Sequence, residues 1–253
     1  MNFRTAAITA FLGLTLAGCA TIEEKTPKVD VNSPQAAYEK AVISMRYNLV
    51  DEALKYLGEA LSRDPQHFPS KYLIGVAYLK KGSLAEARAA FEMCAELNPD
   101  NPDVHAYLGS IYQSLSLGDQ AEAAYLKAFD IDHSYNSSFS LAKLYFEQDK
   151  LDLALKYIEL AVEKDNRSAH ALNLQGVILN TLKFYPEAIL SFLNAVKVDS
   201  SHTIAGVNLA IAYINNGEKD KARDLLEQIL SVVQDDSLKE KINEYLEKIK
   251  DKH

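Results

Sequence analysis

From residue 34 onward, apolar and small residues recur three and four positions apart in segments of about a dozen residues. Short polar stretches such as SRDPQH (62–67) and NPDNPD (98–103) separate them. That period predicts a succession of amphipathic helices with tight connections. The segments also resemble one another. IGVAY (74–78), LGSIY (108–112), LAKLY (141–145), QGVIL (175–179) and LAIAY (209–213) each carry glycine or alanine in second place. Their closing residues Tyr78, Tyr112, Tyr145, Leu179 and Tyr213 are 34, 33, 34 and 34 apart. Nine residues after each stands an alanine (Ala87, Ala121, Ala154, Ala188, Ala222), and Ala53 lies 34 before the first of them. Four residues further on are Leu57, Phe91, Tyr125, Ile158, Phe192 and Leu226. Agreement at several offsets over six units defines an internal repeat.

The units fall at 34–67, 68–101, 102–134, 135–168, 169–202 and 203–236. Each predicts two antiparallel helices. Glycine inside a helix costs about 1 kcal/mol relative to alanine, so Gly109 needs a reason to be there. We expect it where the first helix crosses the second, with Ala121 opposite and a large ring beside them filling the space. Residues 237–250, SLKEKINEYLEKIK, place Leu238, Ile242, Leu246 and Ile249 on one stripe, with Ser237 and Glu240 in capping-box spacing. They predict a helix that covers the open face of the last unit.

The order L-G-x2-Y, A-x3-F and a closing proline (Pro65, Pro99) at this period resembles the tetratricopeptide repeat. The first unit departs from it with Lys40, Ala41 and Ser44, and later units replace the proline with His133, Asn166, Ser200 and Gln234. The resemblance implies an all-α fold, a right-handed superhelical solenoid of about six repeats with a C-terminal capping helix, built to bind protein. It also implies groove-facing positions, which here are Tyr38, Tyr72, Gln113, Phe139, Phe146, Asn173, Asn180 and Asn215. Aromatics there would offer stacking area, and amides would bond a peptide's main chain. The carboxylate clamp of chaperone-binding members is not recognisable, because Tyr72, Phe139 and Asn173 occupy its places.

Composition narrows the chemistry. In 253 residues there are only 10 glycines and 7 prolines, too few for the turns of an all-β fold. The net charge of -8 and the lack of a lysine or arginine stripe argue against nucleic acid as a partner. His67, His133 and His202 fall at unit junctions, His105 and His170 begin first helices, and His253 is terminal, so they read as exposed residues without metal-ligand spacing. Cys94 stands where other units have Ala60, Ala128, Ala161 and Ala195, which predicts a buried small residue. With no glycine-rich phosphate loop and no G-x-S-x-G elbow, we expect no cofactor, no metal and no catalysis.

The opening residues, MNFRTAAITAFLGLTLAGC, combine Arg4, an apolar run from Ala6 to Leu16 and small residues before Cys19. This has the form of an export signal over 1–18, too short for a membrane-spanning helix. Leu16-Ala17-Gly18-Cys19 resembles a bacterial lipobox, which implies a lipid anchor on Cys19. Ala20 follows the cysteine where inner-membrane retention would place aspartate, so the resemblance implies the outer membrane, at its periplasmic face. Residues 20–33 read as a polar tether. A lipobox followed by six such repeats and a capping helix resembles the pilotins of type IV pili, implying a secretin subunit as partner. The same anchor and groove also suit a periplasmic adaptor for peptidoglycan enzymes or proteases, and oligomeric state stays open.

Overall fold

The computed structural model describes residue 30 and residues 32–250, so Cys19 and the preceding signal lie outside the described residues. Among the described residues there are thirteen α-helices and no strand, which makes the protein all-α. They run as six pairs and a thirteenth helix: α1 (Pro34–Arg46) with α2 (Val50–Arg63), α3 (Phe68–Lys81) with α4 (Leu84–Leu97), α5 (Pro102–Ser114) with α6 (Gly118–Asp132), α7 (Tyr135–Glu147) with α8 (Leu151–Lys164), α9 (Ala169–Thr181) with α10 (Tyr185–Val198), α11 (Thr203–Asn215) with α12 (Lys219–Val232), and α13 (Asp236–Lys250).

Local chemistry sets each boundary. Ser33, Asn101, Ser134 and Ser168 cap α1, α5, α7 and α9 by accepting from the N–H three residues on, at 3.1, 3.1, 3.2 and 3.2 Å. Every first helix ends on one residue in the left-handed region: Asn48, Gly82, Ser116, Asp149, Lys183 and Gly217, with φ between 58° and 84°. The following N–H then reaches back to the carbonyl five residues earlier at 2.8–2.9 Å, as from Phe184 to Leu179. This is the Schellman arrangement, repeated six times. At the other end of four of the units, a carboxylate at Asp64, Asp132, Asp165 or Asp199 accepts from the N–H two residues on and turns the chain into the next pair.

The core is a row of small and large residues meeting across each pair. A Cβ added to Gly75, Gly109 or Gly176 would lie 2.6 Å from the ring of Phe91, Tyr125 or Phe192, sixteen residues on. Those glycines are packing residues. Where the residue sixteen on is aliphatic, the small position is alanine: Ala41 with Leu57, Ala142 with Ile158, and Ala210 with Leu226, all fully buried. The nearest group over Gly109 is thus the Tyr125 ring, while Ala121 is fully buried beside it.

Four of the five successive pairs of first helices also pack against each other (α1 on α3, α5 on α7, α7 on α9, α9 on α11), whereas successive second helices are held apart by the helices between them. Closer spacing on one side curves the stack, so the first helices form its inner wall and the second helices its outer one. At the far end α13 lays Ile242, Leu246 and Ile249 over Leu226 and Ile229 of α12. Its cap differs from the sequence expectation. The Asp235 carboxylate accepts from the Leu238 N–H at 2.7 Å, so the helix starts before Ser237, which sits inside the first turn.

His105 also departs from the exposed reading. It is buried, and its Nε2 lies 2.7 Å from the Pro99 carbonyl oxygen, because α5 begins at Pro102 and turns this position inward.

Candidate functional site: the inner groove

The inner wall holds a cavity of about 620 Å³ between α3, α5 and α7. Tyr72, Tyr107 and Phe139 supply its aromatic surface, and Gln113, Asp103 and Lys143 its polar groups. The positions are dictated by the repeat: Tyr72, Ala106 and Phe139 occupy the same place in three successive first helices, and the small Ala106 leaves the space that the two rings flank. Tyr72 stands edge-on to Phe91 at 5.6 Å and to Tyr107 at 5.8 Å. Burial pushes its hydroxyl well above the ordinary tyrosine range, with Tyr107 and Asp103 adding to it. Tyr125 closes the floor, its hydroxyl pushed up to about 12 by burial. Tyr72 and Tyr125 therefore stay neutral at physiological pH, and the Tyr125 hydroxyl donates its one hydrogen bond to Gln113 Oε1.

Of the groove positions expected from the sequence, the structure brings Tyr72, Gln113 and Phe139 into this cavity. Phe139 stacks on Tyr135 at 5.6 Å, and the Tyr135 hydroxyl in turn lies 2.7 Å from Ser168 Oγ, which fixes the wall. Tyr38 stands outside it on α1, in the unit before α3, edge-on to His67 at 5.8 Å. Phe146 is half-buried against the core of the third and fourth units.

The amides are placed differently from the expectation that they would await a peptide's main chain. Asn208 Nδ2 donates to Asn173 Oδ1 at 2.9 Å, and Asn215 Nδ2 donates to Asn180 Oδ1 at 3.0 Å. Gln113 donates to Glu147 and accepts from the Tyr125 hydroxyl at 3.0 Å. Residues one repeat apart are neighbours on adjacent first helices, so these side chains first tie one unit to the next. The Asn173 and Asn180 oxygens each accept one such bond and keep a second lone pair, so the row retains some capacity toward the groove.

Tyr107, Asp103, Ser110 and Lys143 also line the cavity and were not singled out from the sequence. The signal was available, since Asp103, Ala106, Ser110 and Gln113 follow one face of α5 at helical spacing. Further along, Ile204, Val207 and Ile211 of α11 meet Leu238 and Lys241 of α13 around an apolar hollow of about 350 Å³. The inner wall thus changes from aromatic and polar to aliphatic along its length.

Cys94 is fully buried, and that burial pushes its thiol up to about 11. Among the described residues no group of three His, Cys, Asp or Glu side chains is placed to hold a metal ion, and no helix is long and apolar enough to cross a membrane.

Models described as tetratricopeptide repeat match residues 48–111, 139–201 and 205–233. A TPR repeat-containing protein of Methanocaldococcus jannaschii is 25% identical over 248 residues, covering 92% of this chain and 43% of that protein. Anaphase-promoting complex subunit 3 of Schizosaccharomyces pombe is 25% identical over 177 residues, covering 56% of this chain and 25% of that one. The chain therefore spans less than half the length of these curated relatives.

Among solved structures, Pseudomonas aeruginosa PilF matches with a TM-score of 0.72 at 12% identity, covering 83% of this chain and 96% of that one. PilW, a widely conserved type IV pilus biogenesis factor, matches with a TM-score of 0.69 at 15% identity, covering 79% and 93%. YrrB, a TPR protein with an unusual peptide-binding site, matches with a TM-score of 0.62 at 18% identity, covering 74% and 97%. At these identities the structural likeness is one of fold. Fold and groove define a protein-binding helical scaffold. The chain is built of tetratricopeptide repeats.

Proposed function

We propose that this chain is a lipid-anchored scaffold on the periplasmic face of the outer membrane, acting as a pilotin that holds a secretin subunit while its ring assembles in type IV pilus biogenesis. The observation that carries the reading is the aromatic cavity of Tyr72, Tyr107 and Phe139 on an otherwise uninterrupted solenoid. It offers stacking area with a few fixed polar groups, which suits a peptide segment rather than a reacting substrate. The likeness to PilF and PilW over 96% and 93% of their chains supports the pilus assignment. YrrB, described by its peptide-binding site, supports the groove. The lipobox at Leu16–Cys19 supports the anchor, and a tether of fourteen residues, 20–33, would reach at most about 50 Å from it. Tethering a captured subunit to the membrane where it must oligomerise raises its local concentration without any new contact.

The test is calorimetric titration of the soluble Cys19→Ser protein with the secretin subunit of the same bacterium. Tyr72→Ala combined with Phe139→Ala should weaken binding by about tenfold or more, which is about 1.4 kcal/mol. The melting curve should still show a folded solenoid. Equal binding by the double variant would remove the groove from the reading. Absence of binding by the unmodified groove would remove the secretin and leave the peptidoglycan or protease adaptor in its place.

A further inference from the structure

The fifth repeat reverses the polarity of its outer face. At the position of Leu190 the other second helices carry Lys55, Ala89, Ala123, Lys156 and Asp224, all short or charged. At the position of Leu193 they carry Gly58, Glu92, Leu126, Glu159 and Glu227. Leu190 is 61% exposed, Leu193 and Val198 are each 43% exposed, and Phe184, just before α10, is 50% exposed. The inward side changes the other way. Gln175 stands where the other units from the second onward have Ile74, Leu108, Leu141 and Leu209, and its Oε1 accepts from the buried Ser191 hydroxyl at 3.0 Å. A helix apolar on its solvent side is a helix built to be covered.

Beside it lies a groove of about 760 Å³, with α8 and α10 as walls and Leu172, Gln175 and Leu179 of α9 as floor. Its charged groups are sorted by end. Glu187 in the first turn of α10 marks one end, Lys197 in the last turn of α10 and Arg167 just beyond α8 mark the other, and Glu159, at the repeat position of Leu193, lies on α8 between them. α8 and α10 run in the same direction as alternate helices of antiparallel pairs.

We infer that this outer groove is a second docking site, for an amphipathic helix of a partner protein. The helix lies antiparallel to α10, with an acidic first turn against Lys197 and Arg167 and a basic last turn against Glu187. Acidic first turns and basic last turns are the arrangement a helix dipole favours, so the charge order of the groove selects the direction of the occupant. α10 is about 21 Å long at 1.5 Å per residue, which fits about four turns. The site faces away from the inner groove and does not depend on the function assigned to it. One chain can then hold two segments at once, one on each wall.

The test uses an acetylated, fluorescein-labelled 16-residue peptide with glutamates in its first turn, lysines in its last and leucines on one helical stripe. A second peptide has the two charge clusters exchanged. Fluorescence anisotropy with the Cys19→Ser protein should show the first peptide binding at least about tenfold more tightly than the second. Leu190→Glu, at an exposed position that leaves the melting curve unchanged, should weaken it by about tenfold again, and Phe139→Ala should leave it unaltered. Equal binding of the two peptides, no binding, or indifference to Leu190→Glu would overturn the site. So would a dimer, seen by analytical ultracentrifugation, that Leu190→Glu dissolves, because the occupant would then be a second copy.

Discussion

The Tyr125 ring lies so close over Gly109 that a Cβ placed on the glycine would sit 2.6 Å from ring atom Cδ1. No real side-chain carbon tolerates that distance, so glycine in LGSIY is the consequence of an aromatic sixteen residues on. The same pairing recurs for Gly75 with Phe91 and Gly176 with Phe192, and gives way to alanine wherever the partner is leucine or isoleucine. What the repeat conserves between its own copies is summed volume at the helix crossing, since a close-packed core registers single methyl groups.

Gly176→Ala should therefore destabilise the protein. Overpacking costs roughly 1–3 kcal/mol, against which the gain in helix propensity offsets about 1 kcal/mol. Phe192→Leu removes the clash, so the double variant should be more stable than the two single losses added together predict. Urea denaturation of all four proteins measures that coupling. Strict additivity would mean that the ring and the glycine do not compete for the same space.

Lys183 ends α9 at φ 67°, a conformation that costs a residue with a Cβ roughly 1–2 kcal/mol and glycine nothing. The second and sixth repeats already use Gly82 and Gly217 at this place. Lys183→Gly should raise stability by about 0.5–1 kcal/mol, reduced from the full strain by the freedom glycine gains in the unfolded chain. A lower melting temperature in differential scanning calorimetry would contradict the Schellman arrangement at this turn.

Cys94 should be inert in the folded protein. In a Cys19→Ser background, Ellman's reagent at pH 8 should find no reactive thiol until urea is added, and then one. Because burial raises the folded-state thiol from 9.0 to about 11, its stabilising contribution is complete below pH 9 and is lost as pH rises through 11. Stability should fall over that interval by less in Cys94→Ala than in the parent, as read from urea midpoints at pH 8, 9, 10 and 11.

The solenoid was legible because its signal is repeated six times: a helix period, a 34-residue period and small residues at fixed offsets agree with one another. Features that no recurring residue type marks are harder to read. The left-handed turns carry no residue signature, because asparagine, serine, aspartate and lysine fill four of the six and only the shared backbone position unites them. His105 reads as exposed at the start of a first helix, because the sequence does not show the Pro99 carbonyl oxygen that its ring meets once that turn packs inward. Asn173, Asn180 and Asn215 read as groove-facing from the repeat resemblance alone, and the pairings Asn208–Asn173 and Asn215–Asn180 are hidden because the partners stand 35 residues apart, one more than the repeat. In the cavity, Tyr72, Gln113 and Phe139 could be located by repeat position, whereas Tyr107 could not, since its ring stacks on the buried Phe91 at 4.7 Å and reads as core.

The anchor proposal rests on one atom, the Cys19 thiol, because no other side chain in Leu16–Cys19 can be alkylated. Cells fed labelled palmitate should place label on the wild-type protein, and Cys19→Ser should carry none. Persisting label in that variant would exclude Cys19 as the attachment point.

The role in secretin assembly is tested most directly by an immunoblot of unboiled membranes from a strain lacking this gene. The pilotin reading predicts that heat- and detergent-resistant secretin multimers disappear while the monomer persists, and that the wild-type gene restores them but the Tyr72→Ala, Phe139→Ala variant does not. Multimers at normal abundance in the deletion strain would contradict it.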